Sequence, residues 1–124
     1  MVQLDYEREP VLDVVFYRTE SGSEPVRVWL RSLPKEQRTL IGDDIAIVQY
    51  KWPVGMPLVR HLGDFVWEVR TSLHKTNARI LFAIRKDKML VLHGFIKKTQ
   101  KTPKKEIRIA KTRYMDALRR LGDG

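Results

Sequence analysis

Residues 89–103, Met89-Leu90-Val91-Leu92-His93-Gly94-Phe95-Ile96-Lys97-Lys98-Thr99-Gln100-Lys101-Thr102-Pro103, form an apolar run that stops at a cluster of lysines and is followed by a proline. The first four residues read as a buried strand, because short apolar runs of this kind suit a strand covered on both faces. Lys97, Lys98 and Lys101 follow as the strand ends. Thr102-Pro103 is a helix-start signal: threonine can accept a bond from an orphan amide, and proline suits the first helical turn. The positive end of that helix would then lie beside several ammonium groups, a combination that favours polyanions such as an RNA backbone.

Upstream of this stretch, two segments alternate in character. In Asp64 to Arg70 the residues Phe65, Trp67 and Val69 alternate with Asp64, Val66, Glu68 and Arg70; in Arg79 to Arg85, Ile80, Phe82 and Ile84 alternate with Arg79, Leu81, Ala83 and Arg85. Both read as strands with one face packed on helices, the other face carrying Glu68, Arg70 and Arg79. Residues 73–78 become a hairpin loop, with His74 in it, and Asp87-Lys88 a tight turn into the third strand of a meander. His61 also falls in a loop. Further upstream, Val11 to Tyr17 reads as a strand, and Ser23-Glu24-Pro25 starts a helix whose apolar face, Val26, Trp29, Leu30 and Leu33, ends at Pro34. From Lys35 to Trp52 the residues Leu40, Ile41, Ile45, Val48 and Trp52 recur at helical spacing, and two prolines and a glycine make residues 53–57 a connection. The last helix runs from about Thr102 to Leu121, with Ile107, Ala110, Tyr114, Leu118 and Leu121 inward and Lys104, Lys105, Arg108 and Arg119 outward. The order is strand, two helices, a three-stranded antiparallel meander and a C-terminal helix: a small α+β domain with the helices grouped on one side, a single domain over residues 1–124.

The composition, 43% hydrophobic and 31% charged, is that of an ordinary globular chain, but the formal net charge is +9. Residues 97–121 hold ten lysines and arginines against Glu106 and Asp116, a local surplus of +8. Charge confined to one segment points to a polyanionic partner more than to a general need for solubility. With no cysteine there is no disulfide or thiolate metal site, as suits a reducing cytoplasm. The three histidines lack metal-ligand spacing, so neither a metal nor another cofactor is expected. No apolar run approaches the roughly 18 residues of a membrane span, and no signal peptide is visible.

The order of elements resembles the RelE superfamily of toxins, and within it the HigB branch with related phage-derived proteins. The pieces that carry the resemblance are Val28-Trp29-Leu30 with Leu33-Pro34, Leu62-Gly63-Asp64 followed by Trp67-Glu68-Val69-Arg70, Arg79-Ile80-Leu81-Phe82, and Leu92 through Pro103. The resemblance implies a type II toxin: a ribosome-dependent mRNA endonuclease that inhibits translation and forms a hetero-oligomer with a silencing helix-turn-helix antitoxin. Many members place a tyrosine or histidine near the C-terminus for proton transfer, whereas Tyr114 falls at an inward helical position here.

Cleavage of RNA by its own 2′-hydroxyl needs removal of a proton, stabilisation of charge at phosphorus and protonation of the leaving 5′-oxygen. Arg79 and Arg70, on adjacent strands and by parity on one face, are candidates for gripping phosphate oxygens, or else surface arginines paired with Glu68. Lys97 and Lys98 are candidates for proton exchange, since crowding by cations lowers a lysine's pKa, or simple phosphate anchors. His93 has the intrinsic pKa for acid–base work. Strict alternation places it with Val91 and Phe95, opposite Leu90 and Leu92, which also suits a core histidine. Lys101, Gln100, Lys104, Lys105 and Arg108 are candidate RNA contacts, with Gln100 and Thr99 alternatively capping the last helix. The same basic surface would equally serve a non-catalytic RNA- or ribosome-binding protein. A DNA-binding regulator ranks below both, because the last helix stands alone after a sheet.

Overall fold

Prolines set the helix limits in this chain. Pro25 occupies the first turn of α1 (Pro25–Ser32), and Leu33, held extended at ψ 154° ahead of Pro34, ends it. α2 (Lys35–Lys51) begins directly after Pro34 and stops before Pro53, while α3 (Lys104–Arg120) follows Pro103. The strands are β1 (Asp13–Phe16), β2 (Val59–Gly63), β3 (Val66–Ser72), β4 (Asn77–Arg85) and β5 (Lys88–Lys97). This computed structural model describes residues 8–97 and 101–121. The five strands form one mixed sheet in the order β1-β5-β4-β3-β2, with β1 parallel to β5 and the other pairs antiparallel. The α+β architecture is as expected from the sequence.

Four expectations are corrected. The helices do not lie on one side. Val26 of α1 and Ile41, Ile45 and Val48 of α2 pack on Val69, Ile80, Phe82, Met89 and Val91, whereas Ala110, Ile107 and Tyr114 of α3 cover Val66, Leu81, Ala83, Leu90 and Leu92 on the opposite face. The physical reason is visible in β4, where Ile80, Leu81, Phe82 and Ala83 are all 0% exposed, so the strand needs cover on both sides. Second, the meander has a fourth member, β2, which places His61 in a strand; five residues containing an arginine, a histidine and a glycine carry almost no strand signal. Two residues expected inward are exposed, Leu40 at 39% and Leu121 at 61%.

The fourth correction concerns parity. Leu81 pairs with His93 but Phe82 pairs with Val91, so Leu92 is an extra residue in β5. A bulge of this kind shifts every later side chain to the other face. His93 therefore lies with Leu90, Leu92 and Phe95 on the α3 face, away from Val91. Gly94 moves to the α1 face, where Trp29 lies so close that a Cβ would sit 2.6 Å from its Cζ3 and 3.0 Å from Ile80 Cδ1. Gly94→Ala is expected to destabilise the fold by about 1–3 kcal/mol through overpacking, read from the shift of the urea midpoint. Adding Trp29→Leu should return part of that loss.

Candidate functional site

On the α3 face, residues from neighbouring strands line up in rows. Arg60 pairs with Glu68, Glu68 with Leu81, and Leu81 with His93; in the next row Arg70 pairs with Arg79, and Arg79 with Phe95; beyond it Ser72 pairs with Asn77, and Asn77 with Lys97. Two arginines directly opposite one another repel. The compensation comes from Glu68, which is fully buried and whose Oε1 lies 3.9 Å from the Nε atoms of both Arg70 and Arg79. Its other oxygen accepts a 2.6 Å hydrogen bond from the Thr102 hydroxyl, and Lys97 Nζ donates to that hydroxyl at 3.5 Å. Thr102 is thus spent on the sheet, and α3 has no side-chain cap.

Arg79, Lys97 and Thr102 are 4%, 3% and 5% exposed, so this polar cluster is nearly dry. Three of its atoms, Glu68 Oε1, Arg70 Nε and Arg79 Nε, make no hydrogen bond. Burial and the nearby Arg79 lower the Lys97 pKa, with Arg70 and Arg60 adding to this and Glu68 opposing it. Burial likewise lowers that of Arg79, against the pull of Glu68, though a guanidinium remains cationic. Three cations around one carboxylate leave a surplus of positive charge. It borders a cleft of about 290 Å³ lined by Pro57, Leu58, Arg70, Ser72, Asn77 and Arg79. At its edge Arg70 reaches Met56 Sδ at 3.3 Å.

Of the residues singled out from the sequence, Arg70, Arg79 and Lys97 come together. Lys98, Thr99 and Gln100 lie outside the described residues. Lys101 is exposed beside the cluster, and Lys104, Lys105 and Arg108 are exposed on α3. His93 lies elsewhere, with Leu81 between it and Glu68 in the cross-strand row. Its Nε2 is 3.1 Å from Glu106 Oε1, its Nδ1 is 3.4 Å from Arg113 Nη1, and its ring stacks on Phe95. Arg113 can only donate, so Nδ1 accepts and Nε2–H donates to Glu106, which is the neutral imidazole. Tyr114 stacks on Phe65 at 4.3 Å, within the core as its spacing suggested. Sequence reasoning treated Glu68 as a surface partner and missed Ser72, Asn77 and the hydroxyl of Thr102. The available signal was the pairing of Arg70 with Arg79, which demands a buried counter-charge. Among the described residues no set of His, Asp and Glu side chains converges as metal ligands, and no helix is long and apolar enough to cross a membrane.

Two outcomes follow. Glu68→Gln leaves two opposed guanidinium groups, that of Arg79 buried, without their carboxylate and is expected to cost about 3–5 kcal/mol in urea unfolding, part of it restored by adding Arg79→Met. Burial holds the His93 imidazole below its usual value near 6.5, with Glu106 opposing and Arg113 assisting. Between the folded and unfolded pKa values the unfolded chain binds more protons, so the stability from neutral His93 is present above about pH 6.5 and lost as pH falls through the lower folded value. His93→Gln should flatten that part of the stability–pH curve.

Comparison with curated proteins finds no match. The family model of the phage derived protein Gp49-like (DUF891) matches residues 28–115, which is more than half of the chain and includes every residue of the cleft and its buried cluster. This is a RelE-like family associated with the toxins of toxin–antitoxin systems. The chain belongs to the phage-derived Gp49-like family.

Proposed function

We propose that this protein is the toxin of a type II toxin–antitoxin pair, of the HigB-related branch, and that it cleaves mRNA on the ribosome in the cytoplasm. The observation that carries the reading is the register pairing of Arg70 with Arg79 beside Lys97, around a buried carboxylate and at the wall of a cleft. Opposed guanidinium groups match the oxygens of one phosphate and are held before the substrate arrives. The 2′-hydroxyl gives its proton to solvent water as its oxygen attacks phosphorus, the P–O5′ bond breaks, and the products carry a 2′,3′-cyclic phosphate and a 5′-hydroxyl. Arg79 and Arg70 stabilise the extra charge at phosphorus. Lys97, with its lowered pKa, gives a proton to the departing 5′-oxygen. Lys98 and Gln100 stand beside it in sequence as further phosphate contacts. Lys101, Lys104, Lys105 and Arg108 hold more distant RNA phosphates.

His93, neutral and bound by Glu106 and Arg113, anchors α3 to the bulged strand and does not transfer protons at the cleft. With few proton-transfer groups beside many cations, the protein depends on the ribosome to bend the message into a near-attack geometry. The partner that silences it is a helix-turn-helix antitoxin, in a hetero-oligomer that covers or distorts the cleft. The reaction uses no metal.

RNA ends are mapped in a translating extract for the wild type, Arg79→Ala, Arg79→Lys and Lys97→Met. Arg79→Ala is expected to slow cleavage by about 10²- to 10³-fold, and lysine should not replace the guanidinium fork. Lys97→Met should lower turnover at saturating ribosomes by about 10²-fold or more. Translation arrest without new RNA ends would favour the non-catalytic ribosome binder, and rapid cleavage of naked mRNA would remove the dependence on the ribosome.

A further inference from the structure

The outermost strand, β2, presents different chemistry on its two sides. Arg60 lies on the cleft face, close enough to Lys97 to affect its charge, while the next residue, His61, points to the other face and pairs with Trp67. The His61 ring stacks on the Trp67 indole at 4.2 Å and 28°. Trp67 meets Trp52 edge-on at 5.1 Å, and Trp52 meets Phe82 edge-on at 5.8 Å. Phe82 is fully buried in the core. A continuous set of aromatic rings therefore runs from the core to the sheet edge and ends in a histidine that is itself exposed. Its Nε2 contacts the Asp64 carbonyl at 2.7 Å, which fixes the ring plane. His61 is exposed although one ring face packs on Trp67 and Nε2 is occupied, so its exposure lies on the rest of the residue.

We propose that His61 is a stacking platform for one nucleobase of single-stranded RNA, at the β2 edge and separate from the phosphate grip. A flat, exposed π-face held rigid in advance is what a splayed-out base needs, and rigidity lowers the entropic cost of binding. Charge complementarity selects the occupant. Arg60 stands next to His61 on an edge strand of a chain with net charge +9, so a strand crossing the edge can place a phosphate by Arg60 and its base on His61. Pro57 and Leu58, just before β2, line the cleft, so an RNA leaving the cleft passes along this edge. The choice of RNA rests on the nuclease reading, but the platform can be tested without cleavage.

The probes are a fluorescein-labelled single-stranded hexanucleotide with 2′-O-methyl riboses, which cannot be cut, and its counterpart lacking bases. Binding is measured by anisotropy for the wild type, His61→Ala and His61→Phe. His61→Ala is expected to weaken binding of the base-bearing oligonucleotide by about 5- to 100-fold, leave the abasic one unchanged, and be rescued by His61→Phe. Equal affinities of wild type and His61→Ala for the base-bearing probe overturn the platform, as does an equal loss on both probes. Cleavage mapping in the translating extract separates the two ideas. Intact cleavage with no His61 effect removes only the platform, whereas base-dependent binding through His61 with no cleavage removes only the nuclease.

Discussion

One extra residue in β5 decides how this molecule is arranged. Had the strand kept strict alternation beyond Leu92, then Gly94 and Ile96 would face α3, and His93, Phe95 and Lys97 would face α1. The unpaired Leu92 reverses this. It brings His93 to Glu106 and Arg113 of α3, seats the side-chain-free Gly94 under Trp29, and places Lys97 on the face that holds Arg79. The packing of α1, the docking of α3 and the assembly of the cationic cluster thus share one cause. The bulge is held by interactions on both sides of the sheet, the Trp29 ring on one and the Arg113 bond to the Leu92 carbonyl at 2.8 Å on the other.

The cluster itself is a balance between repulsion and desolvation. Removing several cations and a carboxylate from water is costly, and ion pairs at 3.9 Å without hydrogen bonds recover only part of that cost. Such an arrangement contributes little to stability compared with an apolar core. It does hold positive charge in a dry site where an anion would be strongly attracted, which is what a phosphate grip requires. Thr102 links this arrangement to the start of α3, since its one hydroxyl serves both Glu68 and Lys97. The N-cap of α3 is Pro103, which offers no side-chain hydrogen bond, and through Thr102 the geometry of the site becomes coupled to the docking of α3.

The histidines illustrate how position, more than residue type, sets chemistry. His93 is half-buried among a carboxylate, a guanidinium and a phenyl ring, and is held neutral in a structural role. His61, in a strand too polar to be recognised, offers an exposed ring backed by two tryptophans. His74 is exposed in the tip between β3 and β4 and takes no part in the cluster.

What the sequence by itself determined is local or periodic. Prolines at 25, 34, 53 and 103 placed the helix limits, alternation in Phe65 to Arg70 and Ile80 to Arg85 identified β3 and β4, and the lysines after Ile96 located the basic end of the sheet. Parity put Arg70 and Arg79 on one face, because in its own strand each stands opposite the apolar set, Trp67 and Val69 in one and Ile80, Phe82 and Ile84 in the other. Only the tertiary structure decided the rest. The bulge at Leu92 exists through pairing with β4, and β2 is a strand because β3 offers it an edge. Glu68 is buried because α3 covers a face that its charges had suggested was open to water. Each of these depends on contacts between residues distant in the chain, and such contacts leave no period or spacing in the sequence to read.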